Sequence, residues 1–423
     1  MTPAARIQSA IEIIAGLDET KLPADRYLRD WFRARRYAGS KDRAAVAQHV
    51  YDVLRHKGSL AWRMGRNDAR YLIIASLLSN NVATDDIVKL FDGVGYGPAP
   101  LSEDERRAIA TQAGGDPPSH IRGEYPAWLE PELQRSLGDA LEAEMQAMQA
   151  RAPVDLRVNI LRAERQETLV GLHSLGIKAE PTPFAPFGIR IPSGEGLGAL
   201  QHTRFFQTGA FEFQDEASQI AALLCAAKPG TRVLDLAAGA GGKALAMAAD
   251  MENKGEILAL DTDSARLKQI GPRARRAGAT IITATDKRGG PLWGNGKFDC
   301  VLVDAPCSGS GAWRRNPETK WRLTPDRLRE LTELQAWLLD DGARHAKAGA
   351  RLIYATCSIL RCENEDVIEA FLARNSEFKA IPAAEVWGSV TARETPSGLK
   401  HYFKASPLKT GTDGFFACIM VRL

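Results

Sequence analysis

The chain has 423 residues, 44% of them hydrophobic and 25% charged, with a net charge of +3. That length predicts two or three domains, each able to bury its own core, and the composition excludes disordered and collagen-like chains. No apolar run approaches the roughly 20 residues of a membrane span and the amino terminus has no signal-peptide pattern, so a cytoplasmic protein without membrane contact is expected.

Residues 1–130 read as an all-helical domain. The segments "AARIQSAIEII", "ADRYLRDWFRARRY", "KDRAAVAQHVYDVLRHKGSLAWRM" and "DARYLIIASLLSN" carry apolar residues at three- and four-residue spacing. Ser40 and Asp42 are expected to cap the third helix. In the second, Arg26, Arg29, Arg33 and Arg36 fall on one stripe. Charge is uneven: residues 1–70 hold 14 Lys+Arg against 8 Asp+Glu, and residues 71–150 hold 5 against 13. A solvated helix face would account for the stripe alone. Trp31 and Tyr37 among the arginines, and Arg55-His56-Lys57 ending the next helix, tilt the reading towards RNA.

The Pro/Gly-rich stretch "GGDPPSHIRGEYPAW" closes this domain. Residues 131–209 then give an acidic linker helix followed by strand, helix, strand, strand. This small α+β unit has too little chain for a core of its own and is expected to pack on the domain after it.

Residues 210–423 alternate strand and helix, with strands expected at 231–237, 256–261, 280–286, 298–304 and 350–356, and a final pair near 401–403 and 414–422. The pattern predicts a doubly wound parallel sheet with ligands at the carboxyl ends of its strands. The first strand runs into "DLAAGAGGK", where Gly239, Gly241 and Gly242 let the backbone approach a ligand before a helix starts. Asp235, Asp261 and Asp286 end three successive strands, placed for a nucleoside's hydroxyl and amino groups. With neither GxGxxG nor a P-loop, S-adenosylmethionine fits better than NAD.

Two further strands end in cysteine: "VLVDAPCSGSG" in Cys307 and "ARLIYATCSIL" in Cys357. Adjacent fourth and fifth strands would bring both thiols to one sheet edge. The six cysteines form no CxxC pair and no grouping with histidine, so no metal is expected and the thiols should be free. Cys225, Cys300 and Cys418 lie in apolar runs and read as packing residues; the seven histidines are scattered. Arg314, Arg315, Lys320 and Arg322 surround Trp321 beyond the Cys307 loop, a pattern suited to gripping RNA.

Several segments in order, "FQDEASQIAALLC", "DLAAGAGGK", "LDTD", "DAPCSGSG", "RRNPETKWRLT", "ATCSI" with "ENE", and "GTDGFFAC", resemble the RsmB/Nol1/Nop2/Sun family of RNA cytosine-5 methyltransferases. "SKDRAAVAQHVYDVLRHKGSL" resembles the NusB-like RNA-binding bundle that precedes the catalytic part in some members. The resemblance implies three parts: a NusB-like bundle, the α+β subdomain, and a Rossmann-like S-adenosylmethionine-dependent methyltransferase domain. It implies methyl transfer to carbon 5 of a cytosine, with small-subunit ribosomal RNA as partner and the protein a monomer. Cys357 would be the nucleophile and Cys307 the thiol that assists release. Position alone favours the reverse, because a Pro-Cys after the fourth strand is where DNA cytosine-5 methyltransferases keep their nucleophile. Asp304 would contact the base and border the cofactor, and Lys243 would lie near the reaction centre. Ala237, Ala238, Gly239, Ala240, Gly241, Gly242, Lys243, Asp261, Asp286 and Asp304 would hold the cofactor. The family's loop is Cys-Ala-Ala-Pro-Gly-Gly-Lys-Thr, so the missing proline and threonine here bear on cofactor affinity. Transfer RNA as substrate, and a non-catalytic assembly or antitermination factor, are the competing readings.

Overall fold

The structure is a computed structural model that describes residues 1–192, 200–289, 293 and 297–423. The chain folds as two compact units, Met1–Ala150 with Trp313–Leu323, and Arg151–Ala312 with Thr324–Leu423.

The first unit is helical. It opens with α1 (Pro3–Asp18), α2 (Ala24–Arg33), α3 (Ser40–Arg55), α4 (Lys57–Met64) and α5 (Ala69–Ser79). Their apolar faces, with Ile13, Ile14, Val46, Val50, Leu72 and Ile73 fully buried, form one core. The segment expected as a single third helix breaks at His56, which ends α3 and precedes α4. Gly39, not Ser40, occupies the cap of α3; Asp42 sits one turn in and accepts from the Gly39 amide at 3.3 Å. The acidic helix Leu141–Gln149 belongs to this unit.

The inserted segment Trp313–Leu323 has a structural role that its sequence did not show. Lys320 Nζ donates to the Arg55 carbonyl and Trp321 Nε1 to the Leu54 carbonyl, both at 2.9 Å, so the last turn of α3 is satisfied by a cation and an indole. Arg322 donates to the carbonyls of Leu22 and Leu17 at 2.8 and 2.9 Å, and Glu318 accepts the Ala24 amide at the start of α2 at 2.9 Å. Arg314 is buried and Arg315 half-buried, both engaged by neighbours. Helix carbonyl ends recruit cations as RNA phosphates do, and here the cluster around Trp321 braces helix termini.

The second unit contains two sheets. The smaller has β1 (Val154–Val158), β2 (Glu180–Pro181), β3 (Gly188–Ile191) and β4 (Phe211–Phe213) in the antiparallel order β2-β3-β1-β4. It does have a core of its own, built on Leu156, Leu169, Leu172, Ile189 and Phe211. It also packs on the rest of the unit: Glu212 on β4 pairs with Arg273 at 2.9 Å and with Arg276.

The larger sheet has β5 (Arg232–Asp235), β6 (Glu256–Leu260), β7 (Ile282–Thr285), β8 (Phe298–Asp304), β9 (Ala346–Thr356), β10 (Phe378–Ile381), β11 (Phe403–Ala405) and β12 (Phe415–Arg422). Its order is β10-β12-β9-β8-β5-β6-β7, with β11 paired to β12. Strands β5 to β9 are parallel, a Rossmann-like doubly wound arrangement, but β12 is antiparallel to β9, β10 and β11, so the sheet is mixed. The short strand β10 had no clear signal in the sequence. Buried residues cover both faces, Val233, Ala244, Leu302 and Ile353 on one and Leu234, Val301, Val303 and Leu352 on the other.

Candidate active site

Strands β8 and β9 are neighbours in parallel register, with Asp304 opposite Ala355. They deliver the two cysteine loops to the same sheet edge, and the Sγ atoms of Cys307 and Cys357 lie 3.4 Å apart. Both thiols are free and partly exposed, whereas Cys225, Cys300 and Cys418 are buried, as expected of packing residues. The hydrogen bond with Cys357, then burial and the charge of Glu363, push the Cys307 thiol up.

Lys243, in the first turn of the helix Gly242–Asp250, is 8% exposed. Its ammonium donates to Asp304 Oδ2 at 2.6 Å and lies 5.1 Å from the centre of the Phe415 ring. Burial alone would lower its pKa, but the charge and hydrogen bond of Asp304, with Asp235 and Cys357, hold it above the usual lysine value.

Close backbone approach builds the rest. Gly239 (φ +56°) and Gly241 (φ +81°) take left-handed conformations in the loop Ala237–Lys243. Asp261 accepts from the Gly239 amide at 2.7 Å and the Asp263 amide at 2.8 Å, tying the ends of β5 and β6 together. Asp286, just past β7, is exposed. A Cβ on Gly311 would lie 1.9 Å from the Gly414 carbonyl oxygen, so the "GTDGFF" segment packs directly under the Cys307 loop. The Gly311 amide in turn donates to the Cys357 carbonyl at 2.9 Å.

Two residues have surroundings that the sequence did not reveal. Asp235, 1% exposed, has neither carboxylate oxygen in a well-formed hydrogen bond; the nearby Ala237 amide eases the charge without closing one. Burial, then the charge of Asp304, push its pKa up to about 7 against the opposing pull of Lys243. Glu363, just past β9, accepts hydrogen bonds from both cysteine loops.

The arginine stripe lies in the first unit. Arg26, Arg29 and Arg33 are exposed on α2, but the helix ends at Arg33 and Arg36 stands in the following turn. Arg29, Arg33, Arg36 and Arg43 line an open hollow floored by Phe32. Trp31 is core, 8% exposed with the Arg35 guanidinium 3.9 Å from its ring centre, while Tyr37 is exposed. Among the described residues no His/Cys/Asp/Glu group could hold a metal, and no helix is long and apolar enough to cross a membrane.

Residues 222–421 match the family model for 16S rRNA methyltransferase RsmB/F, and residues 125–195 match the ferredoxin-like domain of RsmF/B-like methyltransferases. The probable ribosomal RNA small subunit methyltransferase B of Bacillus subtilis (strain 168) is 31% identical over 385 residues, 90% of this chain and 78% of its own length. The chain belongs to the RsmB/F family of ribosomal RNA methyltransferases. Ribosomal RNA small subunit methyltransferase B of Pseudomonas syringae pv. tomato is 34% identical over 307 residues, 72% of this chain and 67% of its own. Among solved structures, that of PH0851 superposes over 100% of this chain and 99% of its own, with TM-score 0.76 and 26% identity. A methyltransferase homolog from Pyrococcus horikoshii covers 72% of this chain and 98% of its own, with TM-score 0.61 and 27% identity. Ribosomal RNA methylation is the activity for which that family is named.

Proposed function

We propose that this RsmB/F-family enzyme transfers a methyl group from S-adenosylmethionine to carbon 5 of a cytosine in small-subunit ribosomal RNA, through a covalent bond from Cys357. The observation that carries the reading is the pair of free thiols in contact at one sheet edge, with Asp304, paired to Lys243, ending the strand that delivers Cys307. The family resemblance supports Cys357 as nucleophile and Cys307 as the group that assists release, and the contact of the two sulfurs lets one thiol act on the other.

The residues present fit the cofactor. Asp235 offers a buried carboxylate without a well-formed partner, suited to a ligand that carries positive charge. Ala237, Ala238, Gly239, Ala240, Gly241, Gly242 and Lys243 would hold it with their backbone, and Asp261, Asp286 and Asp304 with their carboxylates. When bound, S-adenosylmethionine supplies an electrophilic methyl group.

The protein's own work is to make carbon 5 nucleophilic. The Cys357 thiolate adds to carbon 6 of the cytosine, forming a C–S bond and placing the displaced electron pair on carbon 5. Asp304 takes a proton from the Lys243 ammonium that donates to it and passes that proton to the ring nitrogen as charge develops there. After methylation the carbon 5 proton leaves to a base, the electron pair reforms the ring double bond, and the C–S bond breaks. Cys307, 3.4 Å from the departing sulfur, assists that last step. The target base must be unpaired or flipped to reach the thiols. The NusB-like reading of the helical unit makes its Arg26, Arg29, Arg33 and Arg36 an RNA-holding face, and the whole a cytoplasmic monomer. Bisulfite mapping of methylated cytosines in cells lacking the protein tests substrate and position together: loss of one site in small-subunit RNA is expected, and a loss confined to transfer RNA would overturn the substrate assignment.

A further inference from the structure

Glu363 is fully buried, and its carboxylate joins two loops that are far apart in sequence. Oε1 accepts from the Ser308 amide at 2.8 Å, and Oε2 accepts from the hydroxyls of Ser308 and Ser358, both at 2.5 Å. Ser308 directly follows Cys307, and Ser358 directly follows Cys357. Gln335, on the long helix Pro325–His345, donates to Oε1 at 3.0 Å and to the Pro306 carbonyl at 2.9 Å. The Tyr354 hydroxyl fixes the backbone of Glu363 itself, donating to its carbonyl at 2.6 Å. Asn364 continues the brace: its Nδ2 donates to the Ser358 carbonyl at 2.9 Å and its Oδ1 accepts from Thr356 Oγ1 at 2.6 Å.

A buried carboxylate has a large desolvation cost, and a hydrophobic residue of the same size would fill the space without it. What a hydrophobic residue cannot do is hold both loops through directional, charge-assisted bonds.

We propose that Glu363 is a positioning residue for the reaction, its carboxylate bolting the loop after Cys307 to the loop after Cys357 and so fixing the two thiols in contact. The role rests on the methyl-transfer reading, but the geometry can be measured without RNA or cofactor. Ser310 completes the bolt: its hydroxyl lies 2.9 Å from that of Ser358 and accepts the Ile359 amide at 3.0 Å. Glu363 touches neither base nor cofactor; it acts through the two serines.

Phenylarsine oxide is the probe, because trivalent arsenic bridges two thiols only when both sulfurs can reach it, each giving up its proton to the oxygen that leaves as water. The full-length protein should bind one arsenic tightly, and Cys307→Ser should lose that binding. In Glu363→Ala with unchanged melting temperature, arsenic affinity should fall about tenfold or more and kcat about a hundredfold, with KM for RNA unmoved, because sub-ångström misplacement acts on the chemical step. Glu363→Gln, which keeps an acceptor for the Ser308 amide, should recover part of both. If Glu363→Ala does not fold, Ser308→Ala with Ser358→Ala decides, with a smaller loss of the same kind expected. Unchanged arsenic affinity and kcat in a folded variant would overturn the proposal. A wild-type protein that bridges arsenic in a Glu363-dependent way yet never methylates RNA would instead remove the methyl-transfer reading.

Discussion

Cys307 and Cys357, fifty residues apart in the chain, have their sulfur atoms 3.4 Å from each other because β8 and β9 are parallel neighbours in register. Neither loop needs to search for the other: the sheet sets the strand ends side by side, and Glu363 and the Gly311–Gly414 contact hold the loops beyond them. Two thiols at this separation do not both ionise readily, since a thiolate at one raises the proton affinity of the other.

Asp235 should make stability fall as pH rises. Its folded pKa of about 7 lies above the ordinary carboxylate value of 3.8, so the folded protein holds a proton that the unfolded chain has released. Between those values each rise in pH favours the unfolded state, and the full cost is reached above about pH 7. Asp235→Asn removes the titration. The variant's stability advantage over wild type should grow by about 2 kcal/mol between about pH 5.5 and about pH 8, measured by denaturant unfolding of the cofactor-free protein. A gap that does not change with pH would show that Asp235 is ionised throughout.

Trp321 should behave as part of the helical unit although it lies between the two cysteine strands in sequence. Trp321→Ala removes the indole bond to the Leu54 carbonyl and half-buried ring surface. A destabilisation of about 2–3 kcal/mol is expected, read as an earlier thermal transition and faster hydrogen exchange at the end of α3. Loss of RNA affinity with no change in stability would restore the RNA-gripping role that the local sequence suggests.

Arg29 and Arg33 should contribute to RNA binding through phosphate contacts. Arg29→Glu with Arg33→Glu should weaken RNA affinity and flatten the log-affinity against log-salt slope by about 2, one for each cation removed, while S-adenosylmethionine affinity stays constant. Their ion pairs to Asp25 and Asp30 are exposed and contribute little to stability, so the melting temperature should hardly move. An unchanged salt slope would reduce the stripe to a solvated helix face.

The parts of this molecule that depend on local pattern were legible in its sequence. Strand-helix alternation gave β5 to β9 and their parallel order, and with it the meeting of Cys307 and Cys357. The helical periodicity of the first residues was equally plain, though the break at His56 and the end of α2 before Arg36 were not, because single residues at helix ends are settled by packing. Glu363 was hidden for a different reason. Nothing in "CENED" shows that its carboxylate meets Ser308, 55 residues upstream. The role of the segment Trp313–Leu323 was not legible either, since a tryptophan among cations describes an RNA grip and a helix-end brace equally well.

The most direct test of the central claim is denaturing electrophoresis of the protein incubated with small-subunit ribosomal RNA and S-adenosylmethionine, comparing Cys307→Ala with Cys357→Ala. A slow-migrating protein–RNA band in Cys307→Ala, and neither band nor methyl transfer in Cys357→Ala, is the result predicted. A band that persists in Cys357→Ala, or methylation that survives there, would contradict the account.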